Sequence, residues 1–134
     1  KINGREPLTL ARADAVARGL KSGDVVRVFN ARGSCLVALR ISDDQRSGVA
    51  RLSTGAWFDP GRWQASGQGN IEKHGNPNVL TPDIGASRLS QGCAAQTCLV
   101  QVERVHGQLP EPTPYFLPAF ALAETSITSE ASGS

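Results

Sequence analysis

The sequence has no methionine, and only two tryptophans, one tyrosine, four phenylalanines and three cysteines among its 134 residues. Cys35, Cys93 and Cys98 cannot lay out a disulfide framework in a chain of this size. Cys93 and Cys98 lack Cys-x-x-Cys spacing, and His74 has no second histidine or cysteine at ligand spacing, so no metal site is expected. Cys98 opens an apolar strand pattern, where a small buried residue is normal. No apolar run reaches the roughly 20 residues of a membrane-spanning helix, and no signal peptide stands at the start. No Gly-x-Gly-x-x-Gly, Walker loop or paired catalytic carboxylate is present, so no residue is assigned a catalytic role. Lys and Arg do not cluster with interleaved aromatics, which argues against nucleic acid as a partner. Without an initiator Met the chain reads as starting within a longer protein.

What is present is unevenly distributed. The formal charge is +2, but residues 108 to 134 carry Glu111, Glu124 and Glu130 and no Lys or Arg. The remainder has 14 basic against 9 acidic residues. That excess is ordinary solubility and leaves room for small anionic ligands.

The length indicates one domain able to bury a real core. Leu8-Thr9-Leu10 reads as a strand and Ala11 to Arg18 as a short alanine-rich helix stopped by Gly19. Lys21 to Asp24 is a turn that the Asp24 carboxylate can cap. Val25 to Phe29 is a strand, Asn30 to Gly33 a hairpin turn with Gly33 free to take positive φ, and Cys35 to Ile41 a third strand. Asp43 to Gly48 turns, and Val49 to Ser53 alternates as a fourth strand. From Thr54 to Gln96 periodicity stops, and seven of the 14 glycines fall there, which marks a long functional loop. Trp57, Phe58 and Trp63 are expected to anchor it, the first two covering a core edge. Cys98 to Val105 is the last strand. Two domains of behaviour follow: 1–107 folded, and 108–134 a Pro- and Ser-rich tail, extended and then disordered. Within that tail Tyr115, Phe116 and Leu117 can dock as a strap. Short strands with frequent turns point to a small closed β-barrel with one or two short helices.

Three segments then carry a resemblance. Asp14 to Val26, DAVARGLKSGDVV, resembles the "DA…GI.DGD.V.V" signature of double-psi barrels in molybdopterin enzymes. Gly55-Ala56-Trp57-Phe58-Asp59-Pro60 is similar to "GGWYDP", departing at Ala56 and Phe58. Gly75 to Glu103, GNPNVLTPDIGASRLSQGCAAQTCLVQVE, resembles the end of the molybdopterin guanine dinucleotide-binding domain of the DMSO, TMAO and biotin sulfoxide reductases, with Ala86 for Thr and Ser90 for Ala. The likeness covers about residues 5 to 107.

The resemblance implies a mainly β, double-psi β-barrel (aspartate decarboxylase-like) fold. It also implies a bis(molybdopterin guanine dinucleotide) molybdenum cofactor shared with the remaining domains of a parent reductase, whose substrate is a small S-oxide or N-oxide. The metal's protein ligand would lie upstream, so the isolated chain is expected to be inactive. The four candidate cofactor contacts are Asn78, Gln96, Asn76 and Arg88. Each asparagine amide offers a donor and an acceptor to a pterin or guanine edge. Asn76, before Pro77, also suits a plain turn, whereas Asn78 is held at the strand-like start of Val79-Leu80. Gln96 offers an amide, Arg88 can face a phosphate, and Ser87 can cap a helical turn. His74 reads as an exposed or capping histidine. Family members have a further strand, with a His-Ser-Gln-like segment, ahead of the position of Lys1, so the first barrel strand is expected to be missing here. Two alternatives remain: a stand-alone double-psi barrel adaptor, and a small separate subunit of a molybdenum or tungsten enzyme. The expected setting is bacterial, cytoplasmic or periplasmic.

Overall fold

A computed structural model describes residues 1–63, 69–81, 88–89, 98–105 and 107–115. The architecture is mainly β. Strand β1 (Pro7–Ala11) leads into the short helix α1 (Arg12–Ala17), then β2 (Val25–Phe29), β3 (Ser34–Ser42), β4 (Arg51–Leu52), β5 (Pro60–Trp63), β6 (Gly69–Glu72) and β7 (Gln101–Arg104). The sheet order is β4-β1-β3-β2-β7, with β6 joined to β3 and β5 joined to β6. β1 runs parallel to β3, while β2 is antiparallel to both β3 and β7. Among the described residues the path does not close, since β4 and β7 do not meet.

β3 is the centre. Ser34 to Leu39 are all buried, so the strand is covered on both faces. Period-2 alternation sorts its side chains. Cys35, Val37 and Leu39 join Leu8, Leu10, Ala15, Leu20, Val26, Val28 and Leu80 in one cluster. Leu36 points the other way, to Trp63 and Ile71, with Val25, Val105 and Leu109 packed around them. Each such large side chain contributes about 1.5–3 kcal/mol when fully buried.

The helix forms where expected, ending ahead of Gly19 (φ 67°), and the Lys21 N–H bonds the Asp24 carboxylate at 2.9 Å. Other features differ. The fourth strand shrinks to two residues and the last to four, because only those find ladder partners. The stretch after Thr54 holds a β-hairpin, β5–β6, whose register pairs Pro60 with Glu72 and Trp63 with Gly69. Gly33 does not take positive φ; a Cβ there would lie 2.8 Å from the Val79 carbonyl oxygen, so the glycine permits close approach. Trp57 and Phe58 are 60% and 63% exposed and do not cover a core edge; Trp63 does, and its indole N–H donates to the Gln108 carbonyl at 3.2 Å. Ser87, Phe116, Leu117 and the expected disorder near the C-terminus lie outside the described residues.

Residues 107–115 lie over the second face, where Leu109 packs on the Leu36 cluster. Arg5, whose guanidinium is lowered from its ordinary pKa chiefly by burial, donates to the Pro110 carbonyl. The Thr113 N–H and hydroxyl bond the two Asp59 carboxylate oxygens at 2.6 and 2.9 Å. Lys73 Nζ donates to Thr113 Oγ1 at 2.8 Å and stands 3.5 Å from Asp59 Oδ1. Both charges are almost fully buried, so the shared hydroxyl matters to each. Replacing Thr113 by Val should therefore destabilise the protein by about 1–3 kcal/mol. It should also make 108–115 the first segment cut by limited proteolysis. Urea denaturation and mapping of the first cleavage site check both.

Candidate functional site

The chain turns sharply after β6, and one carboxylate shapes the turn. Glu72 is 3% exposed. Its Oε1 accepts from the backbone N–H groups of Asp59 (3.1 Å) and His74 (2.9 Å). Its Oε2 accepts from those of Gly75 and Asn76, both at 2.7 Å. Gly75 sits at φ 95°, and a Cβ there would lie 2.7 Å from Glu6 Cβ, so both conformation and space demand glycine. Asn76 is buried, and its Oδ1 caps the next turn by accepting from the Asn78 N–H at 2.9 Å. That turn, Pro77–Val79, is 3-10 helical and not a strand start, because Pro77 presets its first φ and Asn76 closes its end.

Asn78 is exposed, and its side-chain amide makes no hydrogen bond among the described residues. It borders a groove of about 500 Å³. Leu8, Leu10, Val28, Leu52, Val100 and Val102 form the apolar part, and Asp14, Arg18, Thr54 and Thr81 join Asn78 as polar lining. Asn30, expected only to open a hairpin turn, ties this region together. Asn30 Nδ2 donates to the carbonyls of Leu80 (2.8 Å) and Leu99 (3.2 Å), while its Oδ1 accepts from the N–H groups of Arg32 (2.9 Å) and Gly33 (3.3 Å). One amide thus holds the hairpin turn, the loop of Asn78 and the approach to β7. An asparagine opening a four-residue turn was the available signal, but its distant partners were not readable locally.

Asp14, also in the groove lining, accepts from the Gly48 N–H (2.7 Å) and the Ser47 hydroxyl (3.0 Å). Those bonds, with nearby Arg18, hold its carboxyl below the usual carboxylate range. Arg12 holds Asp43 down in the same sense through a two-pronged contact at 2.7 and 3.2 Å.

Of the four candidate contacts, the structure brings Asn76 and Asn78 together on one loop, the first as a buried cap and the second facing outward. Arg88 is exposed, and Gln96 lies outside the described residues. His74 is neither exposed nor a cap. It is 1% exposed, its Nδ1 is 3.1 Å from the Trp57 carbonyl, and its ring meets Tyr115 edge-on at 5.8 Å. Tyr115, 41 residues away in sequence, also packs on Trp57 at 5.0 Å, so one distant ring touches both. Cys98 is exposed, since β7 pairs only from Gln101. Among the described residues no group of three or more His, Cys, Asp or Glu could hold a metal ion. No described helix is long and apolar enough to cross a membrane.

These elements define a mainly β ligand-holding domain with an amide-bearing loop over an apolar groove. The family model described as "Molydopterin dinucleotide binding domain" matches residues 1–99, and the chain belongs to that family. Among its relatives, the trimethylamine-N-oxide reductase 1 of Escherichia coli K12 is 47% identical over 112 residues, 84% of this chain and 13% of that protein. The biotin sulfoxide reductase of Cereibacter sphaeroides is 50% identical over 103 residues, 77% of this chain and 13% of its own length. The trimethylamine-N-oxide reductase of Salmonella typhimurium is 42% identical over 133 residues, 98% of this chain and 15% of that protein. The chain therefore spans about one seventh of the length of these bacterial relatives.

Two outcomes follow. Burial pushes the Cys35 thiol well above its ordinary pKa, so a thiol reagent near neutral pH should label Cys98 and leave Cys35 untouched until the protein unfolds. Peptide mapping after brief iodoacetamide treatment checks this. Asp14 and Asp43 ionise more readily folded than unfolded, so their contribution to stability is complete above the ordinary aspartate range and is lost as pH falls through their lowered folded values. The Gly48 amide resonance should titrate with a midpoint below the ordinary aspartate range, and Asp14→Asn should abolish that titration.

Proposed function

We propose that this chain is the cofactor-holding C-terminal part of a bacterial reductase that takes oxygen from a small S-oxide or N-oxide. The group held is the bis(molybdopterin guanine dinucleotide) molybdenum cofactor, and the barrel is of the double-psi type. The observation that carries the reading is the Asn78 amide, outward-facing and unengaged among the described residues, beside an apolar groove. The donor set fits the group. An amide donor and acceptor match the polar edge of a guanine or pterin, and the apolar floor suits a flat ring. The coverage of the relatives supports a part and not a whole enzyme: the chain matches 13–15% of each. Sulfoxide and N-oxide reductases both stand among them, so the substrate class is an oxide of sulfur or nitrogen. Cytoplasm or periplasm is the corresponding compartment.

Asn78 would hold the nucleotide directly, and Asn76 would act by capping the turn beneath it. Gln96 and Arg88 are the further contacts, through an amide and a phosphate-facing guanidinium. The bound cofactor would supply two-electron chemistry at molybdenum, while this chain binds, orients and excludes water.

The test is made in the complete parent enzyme. Asn78→Ala strands polar groups of a buried ligand, at about 1–3 kcal/mol or five- to a hundredfold in affinity. Molybdenum and released guanine nucleotide per polypeptide should fall with little change in Tm. Asn76→Ala removes a cap worth about 0.5–2 kcal/mol, so it should lower Tm and cost less cofactor. Full occupancy in Asn78→Ala with loss in Asn76→Ala would reverse the assignment, and full occupancy in both would remove the loop from the cofactor site. The isolated 134-residue chain, supplied with reduced viologen and any S-oxide or N-oxide, should show no turnover.

A further inference from the structure

We propose that Glu72 is a positioning residue for the cofactor-holding loop: its carboxylate sets the backbone from which Asn78 reaches the ligand. The inference rests on the functional reading above and deepens it. A glutamate ending a short strand would ordinarily lie on a solvated face. Here the carboxylate is buried, and among the described residues all four of its hydrogen bonds come from backbone N–H groups. Three of those donors, His74, Gly75 and Asn76, are consecutive. Fixing three successive N–H vectors on one acceptor leaves the loop a single path, and that path ends at the Asn76 cap of the turn carrying Asn78. The fourth donor, Asp59, belongs to the segment whose side chain grips Thr113, so the same carboxylate joins the loop to the strap over the second face.

The arrangement needs an acceptor on both arms. A carboxylate provides two acceptor oxygens; a carboxamide of the same shape provides one oxygen and one NH2 group. In Glu72→Gln, whichever way the amide turns, two of the four backbone N–H groups face a donor. The substitution preserves volume and removes only the acceptor function.

The experiment compares Glu72→Gln, Asn78→Ala and Leu39→Ala in the complete parent enzyme, purified with its cofactor. Leu39 is fully buried in the core and does not line the groove, so Leu39→Ala controls for lost stability alone. Three quantities are read: amide hydrogen exchange at residues 59 and 74–76 against the β3 amides, Tm, and molybdenum with guanine nucleotide per polypeptide. In Glu72→Gln, exchange at two or more of the four amides should quicken by about five- to a hundredfold while β3 keeps its protection. Cofactor content should fall towards that of Asn78→Ala. Leu39→Ala should lower Tm at least as far and keep more cofactor. Unchanged exchange at all four amides overturns the proposal. So does loss of β3 protection in Glu72→Gln, which would make Glu72 a support of the whole fold. Full cofactor in Glu72→Gln with loss in Asn78→Ala overturns the positioning role and leaves the proposed function standing. Full cofactor in both overturns the proposed function and this inference with it.

Discussion

A strand buried on both faces is the constraint from which the rest of this structure follows. Ser34 to Leu39 present no edge to water, so the chain must supply cover twice. β1, β2 and α1 provide the first cover with Leu8, Leu10, Ala15, Val26 and Val28. The second is assembled from pieces far apart in sequence: Trp63, Ile71 and Leu109. A domain with so few aromatics has little surplus apolar surface, and it fills this second layer with polar groups that satisfy one another. Asp59, Lys73 and Thr113 form such a set, and Glu72 with its four N–H donors forms another on the opposite face, where β6 meets β3 at Cys35.

Burying carboxylates is costly unless their lone pairs are met. Here they are met largely by main chain, which also answers the reverse problem of irregular backbone inside a protein. The loop at residues 74–76 has no ladder or helix to absorb its N–H groups, and a side chain serves instead. The same logic appears elsewhere in the groove lining, where Asp14 absorbs the N–H of Gly48, and at Asn30, which serves four backbone groups with one amide. Polar side chains acting on backbone are what turn a short-stranded sheet into a shaped surface.

Much of the first half was legible in the sequence because its signals are local. The apolar runs Val25–Phe29 and Cys35–Ile41, and alanines ahead of Gly19, are read within a few residues. The β5–β6 hairpin was not, because its two strands are four residues each and carry glycine and charge where a strand usually carries branched side chains. Glu72 received no assignment from the sequence for the same reason. His74 and Trp57 were misplaced because they meet each other and Tyr115 across long sequence distances, and nothing near either announces it. Asn78 was picked out through its family pattern and stands outward beside the groove; Asn76 was read as suiting a turn before Pro77, and the structure adds that its side chain caps that turn. Cys98 was misjudged because apolar character was taken for pairing, and the ladder begins three residues later.

The reach of Asn30 bears on how the molecule comes together. Its two carbonyl partners lie 50 and 69 positions downstream, while its turn contacts are two and three residues away. Local closure is entropically cheap and rapid, and closure over such spans is slow and comes later. The β2–β3 hairpin can therefore present a finished turn, with two N–H donors of the Asn30 amide still open, well before either carbonyl arrives. The groove is complete only once the chain has been made through Leu99 and β7 has paired with β2. A nascent chain halted short of that point holds a preformed clamp and nothing to close on.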